Sequence, residues 1–320
     1  MDDRDILDEV ESAESRIRSY IRQTPLEHSP FLSEESGADV FLKLENQQAS
    51  GSFKLRGAMN KLLSLSDVER SHPVVTASSG NHAAAIAYAL HELGGEGIIY
   101  LPESASRAKI EALKPYGVEL RFVGSDSVLG ELEAKRVATE EGLTFVSPYS
   151  DPGIIGGQGT VALELECQLE AFDAVFVPVG GGGLISGIAG YLEARRPSTR
   201  IVGCQPENSA VMFESVRAGR ILELESKPTL SDGTAGGIEP KAITFPICQR
   251  LVDDFVLSSE EEIASAMRTV IQRHSMLIEG AAALPFAALM KRREEFRGKT
   301  VVLILSGKKV SYDTLKRMLS

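Results

Sequence analysis

Residues 174–183 read Ala-Val-Phe-Val-Pro-Val-Gly-Gly-Gly-Gly, an apolar run that ends in four consecutive glycines. The apolar run predicts a buried strand, and the stretch near 184–194 predicts the helix that follows it. Glycines at such a turn let several backbone N–H groups point at one anion, and the dipole of the following helix adds to the attraction. The segment therefore predicts a parallel α/β fold that binds an anionic group at this turn.

A dinucleotide is the main alternative ligand for the glycine turn. The Gly-x-Gly-x-x-Gly pattern fails, because the sixth position counted from Gly181 is Ser186. The next predicted strand ends in Cys204-Gln205, without the acidic residue that would hold a ribose. A phosphate monoester is therefore the better ligand, and a tight turn without a ligand is the remaining alternative.

The alternation of strands and helices extends along the chain. Strands are predicted at 73–76, 97–101, 119–123, 174–178, 200–204, 254–257 and 301–305. Helices are predicted at 4–22, 83–93, near 106–115, near 127–141, near 184–194, and twice more between the last two strands. This rhythm predicts doubly wound parallel sheets, with a boundary between two sets of strands near 147–152. Poor periodicity with many glycines and prolines over 206–250 predicts a long functional loop.

Two further stretches carry groups that suit chemistry. Residues 50–57, Ser-Gly-Ser-Phe-Lys-Leu-Arg-Gly, place Lys54 among small residues before a helix-prone stretch. A lysine beside apolar side chains can have a lowered pKa and act as a nucleophile toward an aldehyde. The alternative is an ordinary solvated lysine at the start of a helix. Residues 76–82, Thr-Ala-Ser-Ser-Gly-Asn-His, join a strand to a helix, where exposed amides and hydroxyls bind a carboxylate or simply cap the helix.

Taken in order, the stretches at 50–57, 76–82, 178–183 and 301–307 resemble the fold-type II pyridoxal-phosphate enzymes, specifically the threonine/serine dehydratase and serine racemase group. The resemblance runs from about Thr24 to the end of the chain. It implies pyridoxal 5'-phosphate as cofactor and a fold similar to the tryptophan synthase β type, with two doubly wound parallel-sheet domains and the active site in the cleft. The implied domains are a large cofactor-binding domain of residues 1–72 and 151–320 and a small inserted domain of residues 73–150.

The resemblance also implies a role for each matching residue. Lys54 would carry the cofactor and act as catalytic base, and Ser79 would exchange a proton on the opposite face in racemase members. The implied cofactor-binding residues are Phe53, Lys54, Asn81, Gly180, Gly181, Gly182, Gly183, Glu279 and Ser306. The implied substrate-binding residues are Ser78, Ser79, Gly80, Asn81 and His82, and His82 would have a positioning role.

Two stretches depart from the pattern of this family. Residues 306–309 read Ser-Gly-Lys-Lys, where the family usually reads Ser-Gly-Gly-Asn, so two cations adjoin the implied cofactor site. Gln205, Ser209 and Val211 align with a divalent-metal site of the racemase-like members, which uses acidic side chains. Because an amide and a valine replace the carboxylates that a hard cation prefers, we predict no metal at this site.

The resemblance implies a pyridoxal-phosphate-dependent ammonia-lyase, a dehydratase that converts a β-hydroxy amino acid such as L-threonine or L-serine to a 2-oxo acid and ammonia. An amino-acid racemase on the same scaffold, using Lys54 and Ser79, is the nearest alternative. A specialised substrate, such as hydroxyaspartate, phenylserine or a hydroxyectoine-derived amino acid, also stays open. A β-replacement enzyme of the cysteine synthase type fits less well, because that group reads Thr-Ser-Gly-Asn-Thr at residues 78–82. Intact Lys54 and Ser306 argue against a non-catalytic amino-acid sensor.

Composition excludes several other classes. The chain has 320 residues, 43% of them hydrophobic and 25% charged, which is ordinary for a soluble protein. A net charge of −11 disfavours a nucleic-acid or anionic-membrane partner. Cys167, Cys204 and Cys248 form no Cys-x-x-Cys pair, which excludes a zinc ribbon. The acidic N-terminus and the lack of a long apolar run predict a cytoplasmic protein. The resemblance implies a homodimer or homotetramer that acts on a small amino-acid substrate.

Overall fold

Two sheets organise the computed structural model, which describes residues 1–124 and 127–319. Its strands are β1 (Leu26–His28), β2 (Asp39–Lys43), β3 (Val74–Ala77), β4 (Gly97–Leu101), β5 (Glu119–Phe122), β6 (Thr144–Phe145), β7 (Ala174–Pro178), β8 (Arg200–Pro206), β9 (Asp254–Ser258) and β10 (Thr300–Ile304). Its α-helices are α1 (Asp3–Ile17), α2 (Pro30–Ser36), α3 (Lys54–Ser64), α4 (Asp67–Arg70), α5 (Asn81–Leu93), α6 (Arg107–Leu113), α7 (Ser127–Glu141), α8 (Pro152–Gln168), α9 (Gly183–Arg195), α10 (Val211–Ala218), α11 (Thr244–Leu251), α12 (Glu260–His274), α13 (Gly280–Lys291) and α14 (Tyr312–Leu319). The predicted α/β fold with doubly wound sheets is confirmed.

Along the chain, all strands of one sheet lie between two strands of the other. The larger sheet has the order β1-β2-β10-β7-β8-β9, and the smaller has the order β5-β4-β3-β6. Neighbouring strands are parallel except at the edge, where β1 is antiparallel to β2. Because β2 pairs with β10, the larger sheet joins both ends of the chain around the smaller one. This pairing supports the domain bounds 1–72, 73–150 and 151–320, which remain a prediction.

Helices cover both faces of the larger sheet. Side chains alternate between the two faces of a strand, and β7 illustrates the consequence. Phe176 packs in the same buried cluster as Leu284 of α13. Its neighbour Val175 packs instead with Ile6 of α1 and Ile188 of α9. The strand is buried on both sides, as the continuous apolar run predicts.

The long helix α8 is an element that the sequence analysis does not predict. Its first half is rich in glycine, which has low helix propensity. A Cβ added to Gly157 would lie 2.5 Å from the Cα of Gly57 in α3, and one added to Gly159 would lie 2.3 Å from Cγ2 of Val10 in α1. Glycine is therefore required for close helix packing, and this packing overrides the local propensity.

The first helix is shorter than predicted. It ends at Ile17 rather than near residue 22. The next residue, Arg18, bonds to Glu14 in α1 and to Glu164 in α8, and Ile21 is buried after the turn that follows. These tertiary contacts redirect the chain toward β1.

The prediction of one long loop over 206–250 is wrong in part, because the amphipathic helix α10 and most of α11 lie within that range. Between α10 and α11, the described residues 219–243 hold no helix or strand. Among the described residues as a whole, no helix is both long enough and apolar enough to cross a membrane.

Candidate active site

The four motif stretches lie near the carboxyl ends of strands from both sheets. The glycine tetrad follows β7, Ser306 follows β10, and residues 78–82 follow β3. Lys54 begins α3, after the loop that leaves β2. Ligands of open α/β sheets bind at the carboxyl ends of the strands. Hydrogen bonds and packing contacts join the four stretches there.

Backbone hydrogen bonds tie the lysine loop to the turn after β10. The amide N of Phe53 donates to the carbonyl oxygen of Ser306 at 3.0 Å. Ser52 and Gly307 form an isolated antiparallel bridge. The position of Lys54 is therefore fixed by residues from the opposite end of the chain.

The side chain of Lys54 is half-buried and points at the connection between the two sheets. Its Nζ donates to the carbonyl oxygen of Pro148 at 2.7 Å and lies 5.2 Å from the centre of the Phe53 ring. Burial lowers the pKa of Lys54 to about 8, although the carboxylate of Glu279 opposes the shift. A lysine with this pKa is about one-tenth neutral at pH 7, far more than an unperturbed lysine, so its amine can act as a nucleophile and as a base.

Glu279 connects stretches from the two sheets. The Nδ2 atom of Asn81 donates to its carboxylate oxygens at 2.8 and 2.9 Å, and its own backbone N–H donates to Gly307 at 3.1 Å. Burial raises the pKa of Glu279 to about 7, and the hydrogen bond from Asn81 opposes this shift. The Oδ1 atom of Asn81 is buried and has no partner in the described part of the chain. This oxygen can accept a hydrogen bond from a ligand.

Residues 78–82 form the predicted turn at the start of α5, with Gly80 at the cap. The first amides of a helix have no partner inside it and can bind a carboxylate. The imidazole of His82 is buried, with Nε2 3.0 Å from Oγ1 of Thr76. Burial and the charge of Lys54 lower the pKa of His82 to about 3, so the ring is neutral at physiological pH. These contacts support a positioning role for His82.

The glycine tetrad presents free amides. The N–H groups of residues 180–183 have no hydrogen-bond partner among the described residues. The ring of Tyr149 covers the turn so closely that a Cβ on Gly181 would lie 2.4 Å from its Cγ. Gly182 has a φ of 87°, in the left-handed region that favours glycine. The turn can therefore bring backbone donors close to an anion only because these residues lack side chains.

These groups fit pyridoxal phosphate, the cofactor that the resemblance implies. The free amides of the tetrad suit a phosphate, and the amine of Lys54 suits an aldehyde. The unpartnered Oδ1 of Asn81 suits the ring hydroxyl. Ser306, which is buried beside the lysine loop, suits the pyridine nitrogen. Lys308 and Lys309 follow at the exposed side of the same turn.

A cluster of buried ion pairs anchors α3, the helix that begins at Lys54. The guanidinium of Arg56 lies 2.7 Å from Glu45 and 2.8 Å from Glu164 of α8. Lys43 also donates to Glu164, at 2.5 Å. Burial alone would raise the pKa of Glu164, but Arg56 and Lys43 lower it to about 2. The acid therefore stays ionised, and the paired charges hold the helix that begins at Lys54.

The residues that align with a metal site bond to other protein groups. The Nε2 of Gln205 donates to the carbonyl oxygen of Val179 at 3.1 Å, and its Oε1 accepts from the amide N of Phe213 at 2.8 Å. The hydroxyl of Ser209 lies 2.6 Å from a second serine hydroxyl, and Val211 is buried. Both ends of the Gln205 amide are occupied, which supports the prediction that no divalent cation binds there.

No sequence pattern marks Pro148 or Tyr149 as a site residue. Both fall in the stretch 147–152, which is predicted only as a boundary. One sequence feature could have indicated these two residues: a segment that connects two parallel sheets passes beside the carboxyl ends of their strands, where ligands bind. The contacts with Lys54 and Gly181 depend on tertiary structure.

Comparison with known proteins agrees with the geometry. A family model described as pyridoxal-phosphate dependent enzyme matches residues 17–307. An L-threonine ammonia-lyase of Thermotoga maritima is 37% identical over 314 residues, covering 98% of this chain and 78% of that protein. A catabolic L-threonine dehydratase of Staphylococcus aureus is 41% identical over 305 residues, covering 94% and 88%. The structure of maize serine racemase matches with a TM-score of 0.91 at 33% identity, covering 98% and 96%.

Proposed function

This chain belongs to the family of pyridoxal-phosphate dependent enzymes, and on that premise we propose that it is an ammonia-lyase acting on a β-hydroxy amino acid such as L-threonine or L-serine. The product is a 2-oxo acid, released together with ammonia. The observation that carries the proposal is the sequence match to two relatives named for L-threonine. The two alignments cover 98% and 94% of this chain. The resemblance stated from four short stretches is thereby confirmed.

Lys54 has two roles in this proposal. Its Nζ would hold the cofactor covalently and, once released, would accept the Cα proton of the substrate. The bound cofactor supplies the electron sink that makes this proton acidic. With the cofactor bound, the electron pair of the Cα–H bond would form a Cα–Cβ double bond as the Cβ–O bond breaks, and the hydroxyl with the proton taken up by Lys54 would leave as water. Hydrolysis of the remaining enamine gives the 2-oxo acid and ammonia.

The other residues of the site would bind and orient. The amides of residues 180–183 would hold the phosphate, and the amides at residues 78–82 would hold the substrate carboxylate. Asn81, itself held by Glu279, would accept a hydrogen bond from the ring hydroxyl. Ser306 would bond to the pyridine nitrogen, and Phe53 would pack beside the ring. These assignments remain proposals.

A substrate panel tests the reaction. The purified holoenzyme should release a 2-oxo acid from L-threonine or L-serine faster than from hydroxyaspartate or phenylserine. A coupled assay for 2-oxo acid and a separate assay for ammonia should give equal amounts, because one molecule of each forms per turnover. A preference for a specialised hydroxyamino acid would keep the lyase assignment and change the substrate, whereas release of neither product would contradict the assignment.

Racemisation is the second candidate activity, and the likeness to maize serine racemase favours testing it. The two outcomes separate in one assay, since chiral chromatography measures D-amino acid while the coupled assay measures 2-oxo acid. Cytoplasmic location and homo-oligomeric assembly belong to the same proposal, the first resting on the acidic N-terminus and the lack of a long apolar run, the second on the resemblance. Light scattering on the purified protein tests the assembly.

Uptake of the cofactor should depend on pH through Lys54. Only the neutral amine attacks an aldehyde, and burial lowers the pKa of Lys54 to about 8. The rate at which the apoprotein binds pyridoxal phosphate should therefore rise with pH and level off above about pH 8, whereas an unperturbed lysine would keep rising to a pKa of about 10.4. Stopped-flow absorbance measures this rate. A rate that still rises steeply between about pH 9 and 10 would contradict the lowered pKa.

A chelator should have little effect on the enzyme. Because the amide of Gln205 is occupied at both ends, neither EDTA nor added magnesium should change the rate of 2-oxo acid release or the melting temperature appreciably. Both quantities are measured on the holoenzyme after dialysis. A large loss that magnesium restores would show that other side chains hold a cation.

A further inference from the structure

Thr244 contacts the glycine tetrad from the N-terminus of helix α11. It is the first residue of α11 and is fully buried. Its Oγ1 donates to the carbonyl oxygen of Gly181 at 2.6 Å. No role for it follows from the four sequence stretches, because it lies outside all of them.

This hydrogen bond fixes the direction of an amide in the tetrad. In a planar trans peptide the C=O and the following N–H point in opposite directions. A hydroxyl that holds the carbonyl of Gly181 therefore aims the N–H of Gly182 away from Thr244. Gln205 does the same at the first glycine, because it holds the carbonyl of Val179 and so directs the N–H of Gly180.

The packing beneath the tetrad leaves little room for another arrangement. A Cβ on Gly182 would lie 2.9 Å from Cε of Met212, 3.0 Å from Sγ of Cys248 and 3.1 Å from Cβ of Thr244. Thr244, the hydrogen-bond donor to the carbonyl of Gly181, therefore belongs to the close-packed layer beside Gly182. Without that donor the partly buried carbonyl would lose its hydrogen bond, and rotation of the peptide would remove the N–H of Gly182 from the set of free amides.

We propose that Thr244 is a positioning residue that orients the glycine tetrad for the phosphate of the cofactor. The proposal rests on the function proposed above, in which residues 180–183 bind that phosphate. It assigns to the first residue of α11 a specific contribution to cofactor binding. Thr244 acts through Gly181 and does not itself contact the cofactor.

Binding to the apoprotein tests the proposal with two ligands, pyridoxal phosphate and pyridoxal, which lacks the phosphate. Thr244→Val removes the hydroxyl and keeps the shape, so its Kd for pyridoxal phosphate should rise about tenfold, as expected for the loss of one hydrogen bond that orients the tetrad. Its Kd for pyridoxal should stay unchanged. Thr244→Ser keeps the hydroxyl and should restore the Kd of the unmutated protein. Absorbance titration measures both constants.

Thr199→Val is the matched control. Thr199 is another buried threonine whose Oγ1 donates to a backbone carbonyl, that of Phe172, at the opposite end of the sheet. Its substitution should leave both Kd values unchanged. The phosphorus NMR signal of bound pyridoxal phosphate should shift in Thr244→Val and not in Thr199→Val. Should Thr244→Val fail to fold, Thr244→Cys, with its weaker donor, should show a smaller loss for the phosphate ligand alone.

Three results would overturn the proposal. An unchanged Kd for pyridoxal phosphate in Thr244→Val would show that the hydroxyl does not orient the tetrad. An equal loss for both ligands would show a general structural effect. If the unmutated apoprotein binds the two ligands equally, the phosphate site itself is wrong, which separates a failure of the proposed function from a failure of Thr244.

Discussion

Replacing Lys54 by alanine should lower kcat for release of 2-oxo acid by about 10⁴-fold or more, the upper end of the range for a general acid–base group. The change removes both the atom that would hold the cofactor and the group that would accept the Cα proton. The unmutated protein should be yellow, and borohydride followed by peptide mapping should place the cofactor on Lys54. The variant should bind pyridoxal phosphate without this covalent label.

Lys61→Ala is the control for that experiment. Lys61 lies on the same helix, and its Nζ pairs with Asp151 at 2.8 Å rather than with a residue of the cleft. Its replacement should leave the label on Lys54 and change kcat only a little, because a partly exposed ion pair contributes about 1 kcal/mol or less to stability. A cofactor attached to a different lysine, or a Lys54→Ala enzyme that retains its activity, would contradict the assignment.

Ser79→Ala should separate elimination from racemisation. Lys54 is expected to remove the proton of the L-substrate on its own face, whereas inversion needs a proton delivered from the opposite face by Ser79. Loss of the hydroxyl should lower racemisation and turnover of D-enantiomers by about 10²- to 10⁴-fold, while dehydration of the L-substrate stays measurable. Chiral chromatography and the 2-oxo acid assay on the same samples give the two rates.

Ser78→Ala is the matched control for Ser79. The hydroxyl of Ser78 accepts from the amide N of Gly80 at 3.2 Å, so its loss should disturb the turn and affect both enantiomers alike. Equal losses of both activities in Ser79→Ala would assign Ser79 to carboxylate binding alone. If the unmutated enzyme forms mainly D-amino acid and little 2-oxo acid, the racemase alternative replaces the lyase.

The strands are the part of the fold that the sequence predicts best. A parallel strand buried on both faces reads as a continuous apolar run, so β4 and β7 are predicted with the bounds that the structure has. Helix α8 could not be predicted in this way, because the glycines that lower its propensity are needed for contact with α1 and α3. The end of α1 could not be predicted either, because a contact with the distant residue Glu164 helps to set it.

The candidate site shows the same limit. Lys54, the tetrad and Asn81 belong to short recognisable stretches, so the sequence analysis selects them. The lowered pKa of Lys54 depends on burial, which outweighs the opposing charge of Glu279. The contacts of Tyr149 and Thr244 with Gly181 join residues far apart in the chain. Such contacts leave no local pattern, and only the folded structure shows them.

The pairing of β2 with β10 has a consequence for biosynthesis. A ribosome makes the N-terminal part first, and the strands of the smaller sheet lie within a continuous stretch that is complete once β6 has been made. Strand β2 can pair with β1 early, but its pairing with β10 must wait until β10 has been translated, and the bridge between Ser52 and Gly307 forms later still. A nascent chain lacking its last strand therefore carries Lys54 without the turn that fixes it. We expect the cofactor to be acquired only after translation is almost complete.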